Sequence, residues 1–459
     1  MKVILDAGCM GQRETVHGYL KEKLSLPDYY GNNLDALWDC LTTMDDTEIV
    51  ICNREQAQGY FDRVYRVFQK AAEENPNLRL LEEAEDDRPV QDEEIFLQLL
   101  CAWYQAKHRQ LPWRSDPTPY HVWISEIMLQ QTRVEAVKDY YKRFMERLPD
   151  VKALSEVSDD ELMKLWQGLG YYSRARNLKK CAVKVMVEHG GELPADYKQL
   201  EALPGIGPYT AGAIASIAYH LPCAAVDGNV LRVMSRLAGS YEDITLAQTR
   251  KQWKEYLEQL YQEHSQTDSG DINQALMELG ATVCIPNGAP KCADCPLEGL
   301  CKARAKGLVQ ELPVRAEKKP RRDVMKTVLL IEFQGRILLL RRPSEGLLAD
   351  LYEYPNVDEH LEKEAVEDYL SGVSPAWDAV GLEALCSLPD AKHIFTHLEW
   401  HMIGYAVKLD GAEPEVLARD MKTHTGAAAA VWADRAELEK IYAVPGAFSA
   451  YTQEALKRL

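Results

Sequence analysis

No stretch of this chain is apolar for long enough to cross a membrane, and its opening residues MKVILDAGCM lack an apolar segment of signal-peptide length. Both absences predict a protein that stays in a reducing cytoplasm, where its eleven cysteines need not pair. Also missing is the basic excess that marks an outright nucleic-acid binder, since the formal net charge is −18. The deficit is uneven. Residues 1–90 carry 10 basic and 18 acidic side chains, residues 91–322 carry 30 of each, and residues 323–459 carry 13 and 23. The acid therefore lies in the flanks, and the neutral middle can still bind nucleic acid through a local basic face, with modest and salt-dependent affinity. At 459 residues, 46% hydrophobic and 27% charged, the chain reads as soluble and globular, and too long for one core; about three domains are expected.

The most informative stretch is LPGIGPYTAGAIASIAYHLPCAAVDGN, Leu203 to Asn229. Gly205 and Gly207 permit backbone angles and close approaches that a side chain forbids, so the segment reads as a tight turn between helices. After Pro208 the small apolar run TAGAIASIAY predicts a helix whose unpaired N–H groups, around Thr210, face outward and attract phosphate. Further on, Asp227 follows the apolar AAV and precedes Gly228-Asn229, which fixes a carboxylate at the edge of a core. Alone, LPGIGPYTA suits a simple packing corner equally well. A turn that grips a DNA backbone, followed by a fixed carboxylate, resembles the helix-hairpin-helix DNA glycosylases.

From Asp92 to Leu312 the pattern is helical almost throughout, as in WISEIMLQQTRVEAVKDYYKRFMERL, with apolar residues at three- and four-residue spacing. An all-α domain over residues 92–316 follows. Within it Cys284, Cys292, Cys295 and Cys301 stand with seven, two and five residues between them. Four thiolates in so short a run can wrap one tetrahedral centre, either an iron–sulfur cubane or zinc. The family resemblance implies a 4Fe-4S cluster over 284–301, structural and DNA-docking, with Lys291, Lys302 and Arg304 near it to meet phosphates. The family's usual spacing is six, two and five, so one residue is inserted at NGAP.

Breaking an N-glycosidic bond in an extruded nucleotide calls for an acid at the base and a carboxylate near the sugar. Glu126 follows the apolar WIS on a mainly buried helix, where desolvation would raise its pKa and keep a proton available; a surface or capping glutamate is the rival reading. The string WISEIMLQQT resembles adenine-specific glycosylases, which implies that Glu126 protonates adenine at N7. Asp227, supported by Asn229, is expected to stay ionised and stabilise the developing positive sugar. In relatives that also cut the strand, LPGxGxKTA carries a lysine where this chain has Tyr209. A phenol cannot form an imine, so a monofunctional enzyme is expected. The resemblance further implies that Arg109, Trp113 and Arg114 of RQLPWR, with Gln274 of INQALMELG, line the adenine pocket. Gln131 and Tyr171 would wedge into the duplex. For Trp113, Tyr171 and Tyr172 a core role competes.

The flanks carry two further resemblances. Residues 1–88 alternate strand and helix, including a long helix from Gln56 to Glu74, and predict a small α/β unit with a parallel sheet. LPDYYGNNLDALWDCL within it is close to the signature of barstar, the ribonuclease inhibitor. Tyr29, Asp35, Trp38 and Asp39 would then imitate phosphates and plug a ribonuclease site, unless the face is merely solvated; Lys70 stands where barstar has an acidic contact. EEAEDD, Glu82 to Asp87, reads as a linker. After a hinge, PVRAEKKPRRD, residues 324–459 resemble the α+β Nudix-like C-terminal domain of adenine DNA glycosylases. DEHLEKEAVEDYL does not reproduce the RExxEE order that Nudix hydrolysis needs, so this domain should recognise and not hydrolyse. HIFTHLEW sets Phe395, Thr396 and His397 where the family reads 8-oxoguanine with a Phe-Ser-His loop, threonine replacing serine.

The expectation is a monomeric, monofunctional base-excision-repair glycosylase. It would hydrolyse the bond to adenine opposite 8-oxoguanine or guanine in double-stranded DNA, with an appended ribonuclease-binding module. The alternatives are a thymine- or pyrimidine-specific relative, and a non-catalytic DNA-structure binder that recruits or inhibits a nuclease.

Overall fold

A computed structural model describes residues 2–52, 59–82, 89–90, 92–316, 320–374, 385–409 and 414–459. The chain divides into two compact units, Met1–Gln91 and Asp92–Leu459. In the first, strands β1 (Lys2–Asp6), β2 (Thr47–Cys52) and β3 (Leu78–Glu82) form a parallel sheet in that order. Helices α1 (Arg13–Lys23), α2 (Leu34–Thr42) and α3 (Phe61–Glu74) contribute Leu20, Leu37 and Phe68 to a core shared with Leu5 and Ile49. The third helix starts at Phe61 rather than Gln56, after a turn at Gly59-Tyr60. Glu82 belongs to β3, and the rest of the expected acidic linker lies outside the described residues.

The second unit opens with twelve helices among the described residues: α4 (Glu93–Lys107), α5 (Pro119–Leu129), α6 (Val134–Arg147), α7 (Val151–Glu156), α8 (Asp159–Trp166), α9 (Ser173–Glu188), α10 (Tyr197–Glu201), α11 (Pro208–Tyr219), α12 (Gly228–Ala238), α13 (Ala247–Glu263), α14 (Ser269–Thr282) and α15 (Lys302–Ala305). Most begin on a side-chain cap, for instance Asp92, Thr118, Ser158 and Asp227, each accepting from a backbone N–H in the first turn. The apolar run through 123–147 does not form one rod: it breaks between α5 and α6, where Gln131 takes φ +58°. Helix α5 is buried along nearly its whole surface, from Val122 to Met128, and α11 packs against it with alanine and isoleucine. A glutamate on such a helix is largely withdrawn from bulk water.

The sheet part follows, with β4 (Arg322–Phe333), β5 (Arg336–Arg341), β6 (Tyr352–Glu353), β7 (Asn356–Val357), α16 (Lys363–Val373), β8 (Cys386–Ile394), β9 (Leu398–Leu409), α17 (Pro414–Thr425), β10 (Ala429–Ala433), α18 (Arg435–Lys440) and α19 (Ser449–Arg458). The main order is β10-β5-β4-β9-β8, with β4 and β9 parallel over twelve residues. Helices cover both faces, so the central strands read as continuous apolar runs such as Val328 to Ile331. This part and the helices hold each other directly. Lys164 donates to the carbonyls of Leu438 (3.1 Å) and Tyr442 (3.2 Å), Gln167 to Val444 (2.7 Å), and Arg176 to Ala349 (2.7 Å).

Candidate active site

A cavity of about 670 Å³ opens between α5, α11, the start of α12 and α14. Glu126, Tyr209, Asp227, Asn229, Arg109, Trp113, Arg114, Gln131 and Gln274 all line it, so nine of the residues singled out in the sequence share one wall. The volume suits a single extruded nucleoside.

Glu126 is buried on α5, and burial pushes its carboxyl up to about 7; the nearby Asp227 adds to this, while the Tyr209 hydroxyl and Arg114 oppose it. Tyr209 donates to Glu126 Oε2 in a short hydrogen bond and also reaches Met277 Sδ at 3.2 Å. Desolvation and the two carboxylates hold the phenol well above its usual range, so it remains a neutral donor. Asp227 caps α12: Oδ1 accepts from the backbone N–H of Asn229 and Val230, both at 2.8 Å, and Oδ2 from Asn229 Nδ2 at 2.7 Å. Burial still leaves its pKa above the ordinary aspartate value, against those three donors and Arg232. The start of α12 and Arg232 thus offset part of the burial that works against its charged form, the form that the sequence leads one to expect. Arg232 in turn donates to Asn229 Oδ1 at 2.8 Å and to the Cys284 carbonyl at 2.6 Å.

The sequence reading missed Glu278. Its side chain is 1% exposed and bridges both arginines of RQLPWR: Arg109 donates through Nε (2.7 Å) and Nη2 (3.0 Å), and Arg114 through Nη2 (2.9 Å). Burial would raise its pKa, but the two guanidinium groups more than reverse that and hold it low. Glu278 stands four residues after Gln274, one helical turn away, and that spacing was the available signal. Gln274 itself accepts from the Tyr104 hydroxyl at 3.1 Å. Arg250, also missed, lines the cavity and donates to Val226 O at 2.7 Å. Trp113 is both core and wall, buried edge-to-face on Tyr141 while bordering the cavity.

The hairpin turn has two unlike glycines. Gly205 takes φ +77°, and a Cβ there would stand 2.6 Å from Asn177 Cβ. Gly207 has an ordinary φ of −94° and open space where a Cβ would go, so nothing inside this chain demands glycine there; the expected backbone strain is corrected at this position. The first turn of α11 has Pro208 at its start and no side-chain cap, which leaves its N–H groups outward. Thr210, expected at the DNA backbone, is buried, and its hydroxyl accepts from Gln130 Nε2 at 3.5 Å.

Tyr172 is core, whereas Tyr171 is exposed, outside the cavity, and hydrogen-bonded through its hydroxyl to Thr396 Oγ1 at 2.8 Å. That bond joins the helices to the loop between β8 and β9. Phe395 anchors the loop edge-to-face on His393 and Trp400, while Thr396 and His397 are exposed.

The four loop cysteines border one small, mainly apolar cavity with Val233, Leu237 and Leu279, and none is in a disulfide. Burial and the three neighbouring thiols push Cys295 up to about 12, though the Leu297 N–H opposes this. Among the described residues no three of these sulfurs lie within 4.8 Å of one another, a spread too wide for one zinc ion and one that fits a larger, polynuclear centre. Arg236 donates to Cys284 Sγ at 3.3 Å, and the N–H groups of Ala303 and Arg304 point at Cys301, as donors to bound thiolates would. Arg304 also pairs with Glu298 at 3.0 Å.

In the first unit Asp35 and Asp39 are both exposed on α2, and Tyr29 is 86% exposed. Asp35 and Trp38 line a groove with Arg66, Lys70 and Glu74, so this face mixes signs where a barstar-like plug was expected to be acidic.

Three family models match: the HhH-GPD superfamily base excision DNA repair protein over residues 124–261, the NUDIX domain over 327–454, and Barstar (barnase inhibitor) over 1–91. Fold and cavity thus define a helix-hairpin-helix base-excision repair protein. The chain is 36% identical to an adenine DNA glycosylase of Mus musculus over 380 residues, covering 70% of this chain and 72% of that one. It is 35% identical to that of Homo sapiens, covering 71% and 69%. Among solved structures, a thermostable thymine-DNA glycosylase aligns at 31% identity and TM-score 0.42, over 47% of this chain and 97% of that one. The chain belongs to the adenine DNA glycosylase family.

Proposed function

We propose that the protein is a monofunctional glycosylase that hydrolyses the bond between deoxyribose and adenine opposite 8-oxoguanine or guanine in duplex DNA. The observation that carries this reading is the pair Glu126 and Asp227 in one cavity, in environments that give them different roles. Glu126 holds a proton near neutrality and delivers it to N7 of the base, which turns a poor leaving group into a neutral one. Asp227, held by Asn229 and the start of α12, stabilises the cationic sugar that develops as the bond breaks. Tyr209 supplies no amine, so no imine forms, and its hydroxyl keeps the Glu126 carboxyl aimed. Phe395, Thr396 and His397 read the opposite base, while Gly205, Gly207 and the first turn of α11 grip the backbone.

Cys284, Cys292, Cys295 and Cys301 would hold a 4Fe-4S cluster, whose contribution is to fold and dock the 284–301 loop on DNA. Iron and sulfide content, lost in Cys295→Ser, tests this; stoichiometric zinc would overturn it. The match of residues 1–91 to barstar supports a second role, binding a ribonuclease through Tyr29, Asp35, Trp38 and Asp39. Submicromolar binding by the full chain that Asp39→Ala weakens is the expected result, and indifference to every cytoplasmic ribonuclease tried would overturn it.

The decisive assay is single-turnover excision from duplexes bearing A opposite 8-oxoguanine, A opposite G, and T opposite G, then alkali. Adenine release from the first, slowed at least about 100-fold in both Glu126→Gln and Asp227→Asn, is expected. Thymine release, or strand scission without alkali, would overturn the reading.

A further inference from the structure

Among the described residues Gln131 and Tyr171 are both non-glycine residues with positive φ, +58° and +48°. Side chains avoid this region, so each position is held there by its surroundings. The same group holds both. Arg174, in the first turn of α9 and only 9% exposed, donates through Nη1 to the carbonyls of Ile127 (2.6 Å), Met128 (3.1 Å) and Gln130 (2.8 Å). Through Nη2 it donates to the carbonyls of Leu169 (3.1 Å) and Gly170 (3.0 Å) and to the Thr132 hydroxyl (3.4 Å). Its guanidinium lies over the rings of Trp166 and Tyr171, at 5.3 and 5.5 Å. One planar fork therefore takes the residues before Gln131 through Nη1, and through Nη2 both the residue after Gln131 and the two before Tyr171.

The electrostatics say why a charge is kept there. No carboxylate pairs with Arg174 among the described residues, and its Nε–H has no hydrogen-bond partner there. The cation is compensated instead by the last carbonyls of α5, the negative end of that helix, which would otherwise lack partners. A side chain present only for packing would do better apolar. A lysine in its place offers a point charge with three donors and could not span both loops.

We propose that Arg174 is a positioning residue that presets Gln131 and Tyr171 as one rigid two-pronged wedge for entry into the duplex. This rests on the reading of those two residues as the wedge and of the protein as an adenine glycosylase. Arg174 touches no substrate; it acts by making the wedge ready before DNA arrives, so that opening the stack need not also order two loops.

The test uses the full chain, wild type against Arg174→Lys and Arg174→Gln, on two duplexes. In one, adenine faces 8-oxoguanine and the stack must be opened; in the other, adenine faces an abasic-site analogue and no partner base resists. A 2-aminopurine beside the target reports unstacking on binding. The variants should keep the wild-type melting transition and lose unstacking and excision together by roughly 10- to 100-fold on the first duplex. On the second, the loss should stay below about 3-fold, a contrast that general structural damage would not produce. Equal losses on both duplexes, no loss on either, or failure of both variants to fold would each overturn the proposal. Should wild type release no adenine from either duplex, the adenine reading fails, and the unstacking signal alone still decides the role of Arg174.

Discussion

Two pairs of acidic residues invite comparison. Glu126 and Asp227 line a cavity inside the helical unit; Asp35 and Asp39 stand exposed on one face of α2 in the first unit. The residue types are nearly the same and the physics differs. A carboxyl shielded from water can hold a proton at neutral pH or carry a charge tuned by a helix end, so it can do chemistry. A carboxylate in open water can only be offered to a partner, and its worth depends on what that partner brings. Burial, rather than residue type, separates the two roles.

The largest expected effect tests the buried pair. Glu126→Gln keeps shape and removes the transferable proton, so single-turnover excision should fall about 10²- to 10⁴-fold. The same change should stabilise the fold at alkaline pH. Because the folded carboxyl is raised from 4.5 to about 7, Glu126 costs stability progressively as pH rises through that window, while below 4.5 the cost vanishes. Melting curves of the variant should therefore exceed wild type at pH 8 and coincide with it near pH 4. An unchanged difference across pH would mean that Glu126 is not desolvated in the folded protein.

Next in size is Glu278→Gln, which leaves Arg109 and Arg114 partly buried without their anion. A loss of about 3 kcal/mol is expected, read as a lower denaturant midpoint, with adenine binding weakened more than the chemical step.

A smaller effect sharpens the role of Tyr209. Its hydroxyl lowers the Glu126 pKa, so Tyr209→Phe should move the alkaline limb of the rate profile, which descends through about pH 7 in wild type, to higher pH. A shift to lower pH would show that the phenol acts otherwise. Smallest is Thr396→Ser, which keeps the hydroxyl that meets Tyr171 and removes a methyl. Preference for 8-oxoguanine over guanine should change by less than about 10-fold, within the range expected of one methyl group. Loss of all preference would place more of the recognition in this side chain than the loop geometry supports.

Much of this protein is legible in the order of its residues alone. The cysteine spacing, the turn at Gly205, Glu126 behind WIS and Asp227 before Gly-Asn each follow from local chemistry, because a turn, a ligand set or a helix cap involves neighbours in sequence. The motif residues of the cavity are legible for the same reason. What stays hidden in the sequence depends on distant partners. Glu278 looks like any helical glutamate until Arg109 and Arg114 arrive from 169 and 164 residues away. Arg174 reads as one basic residue in SRARNLKK, and only the fold brings the end of α5 and the Leu169–Gly170 carbonyls to its guanidinium. Gly207 reverses the lesson: its motif suggests a glycine that the backbone needs, yet the fold leaves room there for a side chain. Sequence determined which groups were available. Tertiary packing decided which of them lost their water, and desolvation is what separates a reactive or clamping group from an ordinary one.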